Sequence, residues 1–150
     1  MQESEKKKIL IIEDEKPLAH ALELKLSHEG FAIVATPSGE EGLQYLEKEH
    51  FDCVLTDLII PGVDGFKVLA TIQEKNMKVP VIVMTNLNQE EDKKRAFDLG
   101  ATSFFVKSNS PISQIVASIK SILDPPSVED SIPEATPVIN TPSEYIPILK

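Results

Sequence analysis

Five short apolar runs alternate with longer amphipathic segments through the first 123 residues, and this alternation restricts the fold more than any other feature. The runs are Lys8–Ile12 (KILII), Phe31–Ala35 (FAIVA), Asp52–Thr56 (DCVLT), Val79–Met84 (VPVIVM) and Ser103–Val106 (SFFV). All are short and rich in β-branched side chains, which suits strands. The first, third and fourth are apolar at successive positions, so both of their faces need cover, as in a parallel sheet. Between the runs, apolar residues recur at one-face helical spacing. Leu18, Ala21, Leu22 and Leu26 form one such set, Leu43 and Leu46 a second, and Phe66, Leu69, Ala70 and Ile72 a third. Ile112, Ile115, Val116, Ile119, Ile122 and Leu123 mark the last helix. Strict strand–helix alternation implies right-handed crossovers and helices on both faces of the sheet. The expected fold is therefore α/β, a doubly wound parallel sheet of five strands in three layers.

Boundary residues agree with that reading. Pro17 suits a first helical turn, and Ser38-Gly39-Glu40-Glu41 reads as a capping box. Asp64 and Asn88 are placed to cap the third and fourth helices, and Ser110-Pro111 to open the fifth. Gly30 and Gly100 fall just past helices one and four, where a left-handed residue is expected.

The last 27 residues differ in kind, with six of the chain's eleven prolines, five acids and one base. Proline at that density blocks helix and central strand alike. The expected organisation is a charged extension over 1–7, one domain over 8–123 and a Pro-rich disordered tail over 124–150. The tail's apolar end, Tyr145-Ile146-Pro147-Ile148-Leu149, reads equally as a short docking peptide and as an apolar scrap.

Charge and composition exclude several classes. With 15 basic and 24 acidic residues the net charge is −9, and no Lys/Arg cluster is long enough for a nucleic-acid face. No direct nucleic-acid partner is expected. No apolar run approaches the roughly 20 residues of a membrane helix, so no membrane insertion is expected. A single cysteine, Cys53, cannot form an internal disulfide, which makes a reducing cytoplasm the default location.

In a doubly wound sheet the ligand crevice lies beyond the carboxyl ends of the strands. Glu13-Asp14-Glu15 follows the first strand, Asp57 the third, Thr85-Asn86 the fourth and Lys107-Ser108 the fifth. Glu13, Asp14 and Asp57 thus converge with one hydroxyl, Thr85, and one ammonium, Lys107. Carboxylates that close need compensation. Lys107 can reach Asp57, and a hard divalent cation such as Mg²⁺ suits an all-oxygen site. Taken singly, each residue has a plainer explanation: Asp57 as a turn or cap, Thr85 as a helix-entry residue, Lys107 as a solvated lysine. Their convergence at one end of one sheet is what argues for chemistry.

Taken together, these residues resemble the receiver (phosphoacceptor) domains of two-component response regulators. The resemblance covers about residues 7–123 and rests on IIED (Ile11 to Asp14), VLTDLIIPGVDG (Val54 to Gly65), VIVMTN (Val81 to Asn86), GATSFFVK (Gly100 to Lys107) and a final amphipathic helix. It implies a flavodoxin-like sheet of order 2-1-3-4-5. It implies that Asp57 accepts a phosphoryl group from a histidine kinase or histidine phosphotransfer protein. Asp14 would bind Mg²⁺ directly, Glu13 through a water, and Asp57 and the Ile59 backbone carbonyl would complete the protein's share; Mn²⁺ can substitute. Lys107 and Thr85 would contact phosphoryl oxygens, with Asn86 beside them. Thr85 and Phe104 would carry the switch to a surface of helix 4, strand 5 and helix 5. That surface would serve a downstream protein target or a homodimer. The resemblance implies no enzyme beyond catalysis of the chain's own phosphorylation and dephosphorylation.

Three positions depart from the family pattern. Ser108 follows Lys107 where proline with a cis bond is usual. Asn86 stands where a small residue is usual. Ile59 is apolar two residues after Asp57, which points to slow autodephosphorylation. Alternatives remain at this stage: a receiver fold that docks partners without phosphorylation, or the N-terminal part of a longer regulator. A haloacid-dehalogenase-like phosphohydrolase would need a second Asp at the position of Ile59. A flavodoxin-like cofactor binder would need a phosphate loop where Glu13-Asp14-Glu15 stands.

Overall fold

The computed structural model describes residues 6–123. The elements in chain order are β1 (Lys8–Ile12), α1 (Lys16–His28), β2 (Ala32–Thr36), α2 (Gly39–Lys48), β3 (Cys53–Thr56), α3 (Gly65–Glu74), β4 (Val81–Thr85), α4 (Glu90–Asp98), β5 (Ser103–Val106) and α5 (Ile112–Leu123), with a 3₁₀ turn over Lys107–Asn109. The strands pair in parallel in the order β2-β1-β3-β4-β5. The sheet is doubly wound and parallel, as the alternation predicts, in the order the resemblance implies, with its switch point between β1 and β3.

The apolar runs sort by position in the sheet. β1, β3 and β4 lie in the middle and are buried along nearly their whole length, whereas the edge strands β2 and β5 are largely half-buried. Strand period 2 divides the core into two layers. Leu10, Ile12, Val54, Val81 and Val83 face one way, against Phe66, Val68, Leu69 and Ile72 of α3 and Ala96 of α4. Ile9, Ile11, Cys53, Leu55, Ile82 and Met84 take the alternate positions, and α1 supplies Leu22 and Leu26 and α5 Ile115, Val116 and Ile119 as buried cover. Each such aliphatic side chain contributes roughly 1.5–3 kcal/mol on leaving water. The described residues up to 119 form one compact unit; the expected tail over 124–150 and most of the expected extension over 1–7 lie outside the described residues.

Most boundary residues act as expected. Ser38 caps α2 by accepting from the Glu41 amide at 3.0 Å, and Asp64 caps α3 by accepting from the Lys67 amide at 2.9 Å. The capping box is half formed, because the Glu41 carboxylate accepts instead from the Thr36 hydroxyl. Gly30 and Gly100 adopt φ of 100° and 104°. The fourth cap differs: α4 starts after Gln89, without a side-chain cap bond, rather than after Asn88. Strand ends shift slightly too. β2 runs to Thr36, whose carbonyl accepts from the Glu13 amide at 3.0 Å, and β4 starts at Val81, since Pro80 has no amide for the ladder. Asn76, φ 56°, takes the left-handed position after α3, a role to which asparagine is suited.

Candidate functional site at the carboxyl ends of the strands

The parallel register brings four strand ends to one edge of the sheet. Ile12 pairs with Thr56, so Glu13 and Asp57 emerge side by side from β1 and β3, and Thr85 closes β4 next to Val106 of β5. Glu13, Asp57 and Thr85 are all buried, whereas Asp14 is exposed. A cavity of about 330 Å³ opens above them, lined by Asp14, Glu15, Asp57, Ile59, Thr85, Asn86, Leu87 and Lys107.

Backbone geometry fixes the Asp57 carboxylate. Its Oδ1 accepts from the amides of Leu58 at 2.6 Å and Ile59 at 3.1 Å, which leaves Oδ2 turned toward Lys107. The strand end itself is held by the Asp57 amide, which donates to the Ile12 carbonyl, and by the Thr56 hydroxyl, which donates to the Asp57 carbonyl at 2.8 Å. Gly65, the first residue of α3, lies against this peptide, and its amide donates to the Leu58 carbonyl. A Cβ at Gly65 would overlap the Asp57 carbonyl and come 2.6 Å from Leu58 Cα, so the helix approaches this closely because the residue is glycine.

Lys107 ties the site together. Its Nζ lies 2.7 Å from Asp57 Oδ2, 2.9 Å from Glu13 Oε1 and 3.1 Å from Glu15 Oε2, and its side chain is 8% exposed. The Lys107–Ser108 peptide is trans, as is every peptide among the described residues. The lysine therefore reaches Asp57 without the proline usual after it. Burial alone would push the Lys107 ammonium down; hydrogen bonds to Asp57, Glu13 and Glu15 outweigh it and hold the group above the ordinary lysine range. Burial dominates at Glu13 and raises its carboxyl above the ordinary range, against the Glu15 amide and Lys107.

The donor set fits a hard divalent cation. Glu13, Asp14 and Asp57 each offer an oxygen, all within 4.8 Å of one another. Glu13 Oε1 is buried, with Lys107 Nζ at 2.9 Å as its charged partner. Lys107 is one positive charge among several carboxylates, and a cation between the acids would offset the excess.

The expected residues Glu13, Asp14, Asp57, Ile59, Thr85, Asn86 and Lys107 are thus brought to one site. Thr85 Oγ1 accepts from the Leu87 amide at 3.4 Å, and Ile59 is 60% exposed at the rim. Phe104 does not line the cavity. It lies half-buried against the core, its ring 6.3 Å from Phe97 on α4, with Lys93 Nζ 6.0 Å above it. Glu15, Leu87 and Gly65 join the site beyond the expected residues. The acid run Glu13-Asp14-Glu15 carried the signal for the first and the motif that ends at Gly65 for the third; nothing local in the sequence distinguishes Leu87.

Comparison with known proteins agrees with this geometry. The sequence profile of the response regulator receiver domain matches residues 9–120. A "Probable transcriptional regulator ycf27" of Porphyridium aerugineum is 36% identical over 119 residues, covering 79% of this chain and 49% of that protein. The "Alkaline phosphatase synthesis transcriptional regulatory protein PhoP" of Bacillus subtilis is 31% identical over 117 residues, covering 78% and 48%. A solved structure, the phosphorylated cyanobacterial phytochrome response regulator RcpA, superposes with a TM-score of 0.70 at 28% identity, over 79% of this chain and 94% of that one. The chain spans about half the length of the curated relatives it matches.

Proposed function

The chain belongs to the response regulator receiver domain family, and from that membership we propose that it is a phosphorylation switch with Asp57 as its phosphoacceptor. One observation carries the reading: the buried Asp57 carboxylate has one oxygen fixed by two backbone amides and the other paired with Lys107, at the floor of an open cavity. Asp57 attacks the phosphorus of a phosphohistidine on a histidine kinase or phosphotransfer protein. The new bond is an acyl phosphate, and the leaving group is the imidazole of the donor. Lys107 meets one developing phosphoryl oxygen and the Thr85 hydroxyl another. Phosphoryl transfer needs such positioning and charge neutralisation more than covalent help.

Asp14, Asp57 and the Ile59 carbonyl would hold Mg²⁺ directly and Glu13 through a water; Mn²⁺ would serve in its place. Such a cation would supply positive charge against the phosphoryl oxygens. The chain catalyses its own phosphorylation and dephosphorylation and turns over no other substrate. Its output runs through Thr85 and Phe104 to the α4–β5–α5 face, where a protein target or a second copy of the chain docks. In a longer regulator of the kind the relatives represent, that face would govern transcription. The proposed location is the cytoplasm, where the free, buried Cys53 would stay reduced.

The test is intact mass after incubation with acetyl phosphate, with and without Mg²⁺, on the wild type and Asp57→Asn. The reading expects one added phosphoryl group that requires both the cation and Asp57. No uptake by the wild type with acetyl phosphate or a charged phosphotransfer protein would favour the docking-module reading.

A further inference from the structure

The third carboxylate on Lys107 is unaccounted for by that reading. A lysine ammonium has three donors, and in this site they face Asp57, Glu13 and Glu15. Glu15 makes the longest of the three contacts, and its side chain is 56% exposed where the Lys107 side chain is 8% exposed. It also lines the cavity, at the first turn leading into α1. An incoming phosphoryl oxygen needs one donor of Lys107. The contact to Glu15 is the one that can be surrendered without stranding a buried charge, since its carboxylate is already solvated.

Glu15 also adds a fourth negative charge to a site with one positive charge. Such a charge at a partly screened mouth attracts a cation and repels an anionic phosphodonor at once. Resting on the phosphoacceptor reading above, we propose that Glu15 occupies the third donor of Lys107 only until a phosphoryl oxygen replaces it and acts as an electrostatic gate, favouring cation entry and slowing anionic donors.

The experiment compares wild type, Glu15→Gln and Glu15→Asp. Divalent-cation affinity is measured by calorimetry with Mg²⁺ alone. Phosphorylation by acetyl phosphate is then followed at saturating Mg²⁺ over a range of ionic strength. Glu15→Gln is expected to weaken Mg²⁺ binding about 3–10-fold and to raise the second-order phosphorylation rate by a similar factor at low salt. Its rate should also lose most of its salt dependence, while Glu15→Asp, which keeps the charge, stays near wild type. Wild-type cation affinity and salt dependence in Glu15→Gln would overturn the gate. Slower phosphorylation in that variant would overturn it too, because Glu15 would then be needed to hold Lys107 in place. If the wild type binds Mg²⁺ but takes up no phosphoryl group, the phosphoacceptor reading fails, and the gate fails with it.

Discussion

Lys107 Nζ lies 2.7 Å from Asp57 Oδ2, which joins residues following two strands, β3 and β5, that are separated in the sheet by β4. Two residues fifty positions apart in sequence meet because the parallel register carries both to the same edge. The contact has a structural as well as a chemical role, since the lysine is the positive partner of two buried acids.

Removing that ammonium leaves Glu13 and Asp57 buried against each other. Lys107→Ala is expected to lower the stability of the cation-free protein by about 3 kcal/mol at neutral pH. Glu13, whose carboxyl burial already raises, loses the lysine that opposes this, so the deficit should shrink as pH falls and Glu13 takes up its proton. Urea unfolding at several pH values measures this. Equal loss at every pH would mean that the lysine contributes packing rather than charge.

Glu13 should show the cost of keeping a metal-binding acid buried. Its folded carboxyl is raised above the ordinary value of 4.5. The favourable contribution of the protonated form is therefore complete below that value and is lost as pH rises through the folded one. At neutral pH, Glu13→Gln is expected to leave the cation-free protein at least as stable as wild type, and that advantage to fade toward pH 4. Mg²⁺, which stabilises by binding the folded state, should raise the melting temperature of this variant less than that of wild type. Thermal unfolding with and without Mg²⁺ gives both numbers.

Gly65→Ala tests the contact behind Asp57. The added Cβ meets backbone, which cannot rotate away. Expected outcomes are a loss of about 2–4 kcal/mol and weaker Mg²⁺ binding, because the Asp57–Leu58 peptide must shift. A variant with wild-type stability and affinity would show that α3 can slide without disturbing the site.

Ile59 presents an apolar side chain at the rim of the cavity and is 60% exposed. It offers no hydrogen bond to a water approaching an acyl phosphate. Ile59→Asn should speed loss of the phosphoryl group several-fold and change stability by less than about 0.5 kcal/mol. Decay of the phosphorylated mass after donor removal is the measurement; an unchanged decay would mean that this side chain does not govern water access.

Much of this was legible in the sequence, for identifiable reasons. The β-branched runs that became β1, β3 and β4 are apolar on both faces, and a strand with that pattern has to be central. The strand-end residues Glu13, Asp57, Thr85 and Lys107 followed from the alternation, since a parallel sheet sends every carboxyl end the same way. Less was legible where tertiary contacts decide. The Glu41 carboxylate turns to Thr36 rather than closing its own capping box. The need for glycine at position 65 arises from the Asp57 peptide, a contact in space that hydrophobic periodicity does not register. The third carboxylate on Lys107 depends on where α1 starts relative to β5, which hydrophobic periodicity does not report.

The central claim is that Asp57 is the atom-level acceptor. Acyl phosphates are reduced by borohydride, which converts a phosphorylated aspartate to homoserine in place. The chain would be charged with acetyl phosphate and Mg²⁺, reduced, digested and sequenced by mass spectrometry. The account predicts homoserine at position 57 and an unmodified Asp14. Homoserine at Asp14 or elsewhere, with Asp57 intact, would contradict it.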